Sequence, residues 1–256
     1  QGQEETVSVI EWQDVRDFVD QRFRPGGAVI GVAGRFDWDE TKTLVGNLIK
    51  DWTGVAPSPV PWRWEREQVK HVVYDSQQTH IGIAYRSVPY DDPRYFLARA
   101  SLGALSGGTS ARLFTEVREK RGLCYAVHAT YQVIGNMGAV FCYSGTTAER
   151  AQETLEVLLA EITRLKDGIQ DEELQRVKVQ LKSSLVFQQE SSVSRARSLI
   201  SDWLLLGRVR SVIELKQAVD ALVTEDVNRF LAENPPNDFT IVTLGPHPLE
   251  VPRAVS

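Results

Sequence analysis

Residues 106–131 read SGGTSARLFTEVREKRGLCYAVHATY. Ser110 to Arg121 is predicted to form a short helix, because Gly122 stops it and Lys120 and Arg121 fall in its last turn, where cations suit the helix dipole. After the glycine, LCYAVHATYQV has the composition of a strand, and GAVFCYSG returns as the second arm of a hairpin around Gly135 and Asn136. A helix that empties into a hairpin places helical and antiparallel β structure side by side.

The charges of this helix pair unevenly. Arg112 with Glu116, and Glu116 with Lys120, stand at i,i+4. Arg118 has Phe114, Thr115, Arg121 and Gly122 as helical neighbours, so its guanidinium lacks an acidic partner on its own helix. Tyr125 follows seven residues on, at the start of the strand. A guanidinium and a phenol brought to one place suit a carbonyl oxygen that gains negative charge. The plainer readings are a solvated surface arginine and a half-buried strand tyrosine.

Upstream, HVVYD and HIGIAYRSV form two neighbouring strands, the second alternating Ile81, Ile83 and Tyr85 with His80, Gly82 and Ala84. DDPRYFLARASLGALSG then changes to helical period. Earlier still, WQDVRDFVDQRF is helical, GGAVIGVAG is a short strand, and residues 40–52 are helical again. One strand between two helices cannot make a sheet alone, so residues 1–55 are expected to complete a sheet whose other strands lie elsewhere. Pro57, Pro59 and Pro61 make residues 56–66 an extended connector.

Downstream, Thr146 and Glu149 have capping-box spacing before a helix whose Leu155, Leu158, Ile162 and Leu165 form one apolar stripe. Asp171 opens another helix with Leu174, Val177, Leu181 and Leu185 at helical spacing. Further helices run to about Glu233, and DFTIVTLG is a final strand. The predicted class is α+β: a mixed, largely antiparallel sheet with helices packed on one face.

The 29 basic and 34 acidic residues give a net charge of -5, which offers no electrostatic footprint for nucleic acid and no polybasic membrane patch. No apolar run approaches bilayer length, so a soluble chain without membrane insertion is expected, in cytoplasm or periplasm. Cys124 and Cys142 stand alone in apolar runs and are read as small buried residues. The four histidines, His71, His80, His128 and His247, include no pair one helical turn apart, so no metal site is predicted within the chain. GALSGGTS, Gly103 to Ser110, nearly spells a phosphate-binding loop, but Thr109 stands where its lysine belongs. What remains is a glycine turn in which Gly107 and Gly108 leave backbone N–H groups open to an approaching peptide.

The stretch from Ser106 to Tyr131 resembles the best-marked part of the second homologous domain of the pitrilysin/insulinase family of zinc metallopeptidases, with its pattern R-L-F-x-x-V-R-E-K-R-G-L-x-Y. FRPGGAVIGVAGRFD and HIGIAYRSVPYDDPRYFLARASLGALSGG resemble the family as well. The resemblance implies a carboxy-terminal half that faces a homologous H-x-x-E-H half, a domain or a subunit, across a chamber. Zinc and the general base are then expected in that partner, with no cofactor bound by this chain. Arg118 and Tyr125 match the positions that hold the substrate peptide and the tetrahedral intermediate, as assisting catalytic residues. Gly107 and Gly108 correspond to a substrate-handling glycine region. Residues 1–55 are then a helix-strand-helix remnant of the preceding homologous domain, 56–66 the connector, 67–246 the family domain and 247–256 a tail. A homo-oligomer is compatible with this reading. The alternative is a non-catalytic binding or assembly subunit of the same fold.

Overall fold

A computed structural model describes residues 2–55, 68–134 and 137–252. The alternation of Ile81, Ile83 and Tyr85 with His80, Gly82 and Ala84 makes β2 (Gln78–Ser87) a strand with one buried face. It pairs antiparallel with β4 (Met137–Thr147), and β4 pairs antiparallel with β3 (Cys124–Ile134). On its other side β2 takes β5 (Thr240–Gly245), antiparallel, and β5 takes β1 (Val69–Val73), parallel. The order is therefore β1-β5-β2-β4-β3. The strands β1 and β2 follow one another in sequence, but the last strand of the chain is inserted between them. The turn expected at Gly135 and Asn136, and the connector at 56–66, lie outside the described residues.

One face of this sheet is covered. Helix α4 (Tyr95–Ser106), α5 (Ala151–Thr163), the first half of α6 (Asp171–Glu190) and α9 (Thr224–Glu233) pack there, and α7 (Ser192–Leu206) and α8 (Val212–Asp220) lie farther out. The predicted stripe Leu155, Leu158, Ile162 and Leu165 is fully buried against Ile81, Ile83 and Ile241, so this is the α+β architecture expected, with one core between sheet and helices. The capping box expected at Thr146 does not form. Thr146 lies inside β4, and its hydroxyl donates across the sheet to the Leu123 carbonyl, leaving the chain to enter α5 through a 3₁₀ turn at Ala148–Arg150.

The helix pair α4 and α6 depends on a missing side chain. A Cβ on Gly103 would stand 2.6 Å from Cγ1 and 2.8 Å from Cγ2 of Val177, and a β-branched neighbour cannot swing aside. Gly103→Ala is expected to destabilise by about 1–3 kcal/mol. Adding Val177→Ala should return part of that loss in urea denaturation, which a merely local effect on helix propensity would not allow.

Residues 2–55 form α1 (Glu4–Val7), α2 (Trp12–Arg22) and α3 (Trp38–Ile49). The expected strand at GGAVIGVAG has no ladder among the described residues, since its N–H and C=O groups meet no neighbouring strand. It runs close to α7 instead: a Cβ on Gly31 would lie 2.6 Å from Ile200 Cγ1. Trp12, Phe18, Trp38 and Leu48 of this segment are exposed.

Candidate functional site

The corner where the chain enters β3 is built by two irregularities on either side of Gly122. Before it, Phe114–Glu119 is a π-helical turn in which the Lys120 N–H reaches back five residues to the Thr115 carbonyl at 2.9 Å. Gly122 then adopts φ +60°, and the Leu123 N–H bonds the Val117 carbonyl at 2.9 Å. Thr146 and Arg150 anchor this corner through the Leu123 and Gly122 carbonyls.

After the glycine comes a β-bulge. Cys124 stands opposite Thr146 and Ala126 opposite Gly145, so Tyr125 is the additional residue. Val127, Ala129 and Tyr131 pack toward the helices, and in strict alternation position 125 would join them. The bulge turns Tyr125 outward with Ala126, and the residue is 61% exposed.

Arg118 is exposed as well. Its guanidinium lies 5.0 Å over the Phe114 ring and has no carboxylate partner among the described residues. Lys120 (2.7 Å) and Arg121 (2.8 Å) both occupy Glu116 and hold its carboxyl below the ordinary range. Burial pushes the Cys124 thiol up, opposed by a Ser144 hydrogen bond and by the charge of Arg118. Arg118, in the turn before Gly122, and Tyr125, in the bulge after it, are both exposed, and neither has an internal acceptor among the described residues.

The expected Arg112–Glu116 pair does not exist. At the base of the turn Arg112 points inward, where its Nε and Nη2 make 2.7 and 2.8 Å bonds to the Glu173 carboxylate and Nη2 also donates to the Gly168 carbonyl. Its Nη1 is buried without a hydrogen-bond partner among the described residues. A buried ion pair, unforeseen in the sequence, therefore seats the helical turn on α6.

Beyond Tyr125 the uncovered sheet face carries a cluster that becomes legible only once the register is known. His128 stands opposite Tyr143, and the Tyr143 phenol lies over Gly145, with its oxygen 2.7 Å from His80 Nδ1. The His128 and Tyr143 rings are 5.3 Å apart. Read singly, these histidines look like isolated strand residues.

Gly107 and Gly108 lie elsewhere. Gly107 caps α4, Gly108 has φ +135°, and both line a cleft of about 240 Å³ shared with Glu173, Arg176 and Gln180 of α6. Neither Arg118 nor Tyr125 lines it. Cys142 is buried, its thiol pushed up to about 12 by burial, and both cysteines are free. No three His, Cys, Asp or Glu side chains among the described residues are grouped to hold a metal ion. No helix among them is long and apolar enough to cross a membrane.

A family model described as Peptidase M16 inactive domain matches residues 10–181. An uncharacterized zinc protease of Mycobacterium tuberculosis is 29% identical over 255 residues, covering 96% of this chain and 58% of that protein. An uncharacterized zinc protease of Bacillus subtilis is 26% identical, covering 96% and 60%. The chain thus spans about three-fifths of these relatives' length. Among solved structures, a peptidase M16 inactive domain from Pseudomonas fluorescens superposes with TM-score 0.84 at 23% identity, over 98% of this chain and 61% of that one. A protease from Helicobacter pylori superposes with TM-score 0.78 at 21% identity, over 96% and 61%.

Proposed function

Because the chain belongs to the peptidase M16 inactive-domain family, we propose that it is the carboxy-terminal half of a zinc-dependent peptidase and forms the chamber wall opposite the metal. The uncovered sheet face and the Arg118–Tyr125 corner then look into the chamber, toward a homologous half that carries H-x-x-E-H. The described residues do not fit a zinc ion, so the metal is assigned to that partner. Residues 1–55 are assigned to the preceding homologous domain, and their exposed tryptophans and phenylalanines to contacts with it.

One observation supports the reading: Arg118, without a carboxylate partner among the described residues, and Tyr125, turned outward by the bulge, are both exposed, on either side of Gly122. Their donors suit the carbonyl oxygen of a bound peptide, and fixed donors gain strength there as that oxygen acquires charge. Gly107 and Gly108 support substrate only at a distance, through the turn that seats α4.

The test uses the protein assembled with its H-x-x-E-H half and an unstructured peptide as substrate. Arg118→Ala is expected to lower kcat about 100-fold and Tyr125→Phe about tenfold, with smaller changes in KM. Both side chains are exposed, so thermal stability should stay within about 0.5 kcal/mol of the parent. Full turnover in both variants would refute the assignment and favour an assembly role for the chain.

A further inference from the structure

The helix layer contains a cleft that the proposed chamber does not use. It lies between α4, the distal end of β3 and α7, with a volume of about 510 Å³. A smaller cleft of about 210 Å³ adjoins it, sharing Tyr95, Arg99, Gln188 and Ser198. From Tyr125 to Val133, at the mouth of the larger cleft, β3 runs about 26 Å at the rise of an extended strand.

Helix α7 has two faces here. Ala196 and Ile200 meet Gly31 of the amino-terminal segment, whereas Ser194, Arg197, Ser198 and Ser201 line the cleft. A helix face turned toward a domain is ordinarily apolar. This one offers hydroxyls and a guanidinium, and α4 supplies a second guanidinium, that of half-buried Arg99, from across the gap. No Asp or Glu lines either cleft, although the chain is acidic overall. Arg210, the third arginine nearby, is neutralised by Asp202. Among the described residues Arg99 and Arg197 have no carboxylate partner, although Arg99 donates to the Tyr95 hydroxyl, and the side chains of Ser194, Ser198, Ser201 and Gln188 make no hydrogen bond. The Tyr131 and Tyr90 hydroxyls, by contrast, are committed to the Val88 carbonyl and to Asp202.

Two cations without carboxylate partners, one half-buried and one exposed, beside unused hydroxyls, favour an incoming anion. The two guanidiniums come from different elements, Arg99 from α4 and Arg197 from α7, and side chains on one side of an extended peptide repeat about every 7 Å. Each guanidinium can take one carboxylate of such a chain bidentately. We infer that the α4–β3–α7 cleft binds the paired carboxylates of an acidic peptide segment, at a site separate from the Arg118 corner.

The test measures anisotropy of a fluorescein-labelled hexapeptide alternating Glu and Ser, titrated with the full chain at low salt. The Gln-for-Glu peptide is the control and inorganic phosphate the competitor. The acidic peptide should bind, and the control should bind at least about tenfold more weakly. Arg197→Gln, on an exposed side chain that folding does not need, and Arg99→Gln should each weaken binding about tenfold, and Ser198→Glu should abolish it. Arg118→Ala should leave the affinity unchanged. Equal binding of both peptides, wild-type affinity in the arginine variants, or phosphate displacing the peptide at equal concentration would each overturn the inference. So would loss of binding in Arg118→Ala, which would place the peptide at the other corner and leave the chamber proposal standing.

Discussion

Replacing Asp202 with alanine is expected to cost about 3–5 kcal/mol of folding stability, the typical penalty for removing one partner of a buried, hydrogen-bonded charge pair. Asp202 is 2% exposed in α7. It accepts from the Tyr90 hydroxyl at 2.8 Å, from the Arg210 backbone N–H at 2.9 Å and from Arg210 Nη2 at 2.8 Å. The Arg210 guanidinium lies 4.6 Å over the Tyr90 ring. One carboxylate thus joins the loop before α4 to the loop between α7 and α8. Without it, the Tyr90 phenol loses its acceptor and the half-buried Arg210 guanidinium keeps only the Tyr90 oxygen. Burial pushes the Asp202 carboxyl up, but the Arg210 and Tyr90 bonds outweigh it and hold the group below its ordinary value. A lowered folded pKa means the contribution is present above the unfolded value of about 3.9 and is lost as pH falls through the lower folded value. Urea midpoints of parent and Asp202→Ala should therefore differ widely at pH 7 and draw together as pH falls below the unfolded carboxylate range. An equal gap at both pH values would show that the carboxylate charge is not the source.

Arg112→Met should cost a similar amount, about 3–5 kcal/mol, for a related reason. Met keeps much of the side-chain volume but abandons the Glu173 carboxylate, which is buried beside it and also accepts the Gln170 N–H at the start of α6. Burial pushes the Glu173 carboxyl up, and the Arg112 hydrogen bond with the Gln170 N–H overcomes this and leaves it lowered. The double variant Arg112→Met/Glu173→Met should be more stable than Arg112→Met alone, because it removes the stranded charge. Denaturant unfolding of the four members of this cycle checks the claim. If the double loss equals the sum of the single losses, the pair is not coupled.

The fold was legible where burial imposes a period. Ile81, Ile83 and Tyr85 announce a half-buried strand, and Leu155, Leu158, Ile162 and Leu165 announce a docked helix, because one sheet face and one helix stripe are all that the core reads. What failed did so for particular reasons. The insertion of β5 between β1 and β2 is a long-range parallel pairing that no local pattern encodes. Thr146 has cap chemistry and cap spacing, but its hydroxyl finds a better acceptor across the sheet. GGAVIGVAG has strand composition without a strand to pair with among the described residues. Arg112 was assigned its partner on the assumption of one uninterrupted helical phase, and the π-turn breaks that phase.

At the site, the absence of an acidic partner for Arg118 could be read from spacing alone, and the separation of Tyr125 from it likewise. The orientation of Tyr125 could not, since the bulge appears only in the pairing of β3 with β4. Asp202 and Gly103 gave no signal at all. A single aspartate in a helix and a single glycine in another acquire meaning only from residues far along the chain that close upon them.

The π-turn and the bulge each add one residue to an otherwise regular element, and they flank Gly122 on either side. Neither addition changes which chemical groups are present; each rotates them. A relative could therefore keep every letter of the motif and still point its donors into the protein, if a single residue were gained or lost between the arginine and the tyrosine. Kinship in this region is a matter of backbone phase, and counting the residues between two side chains says more about shared chemistry than matching the side chains themselves.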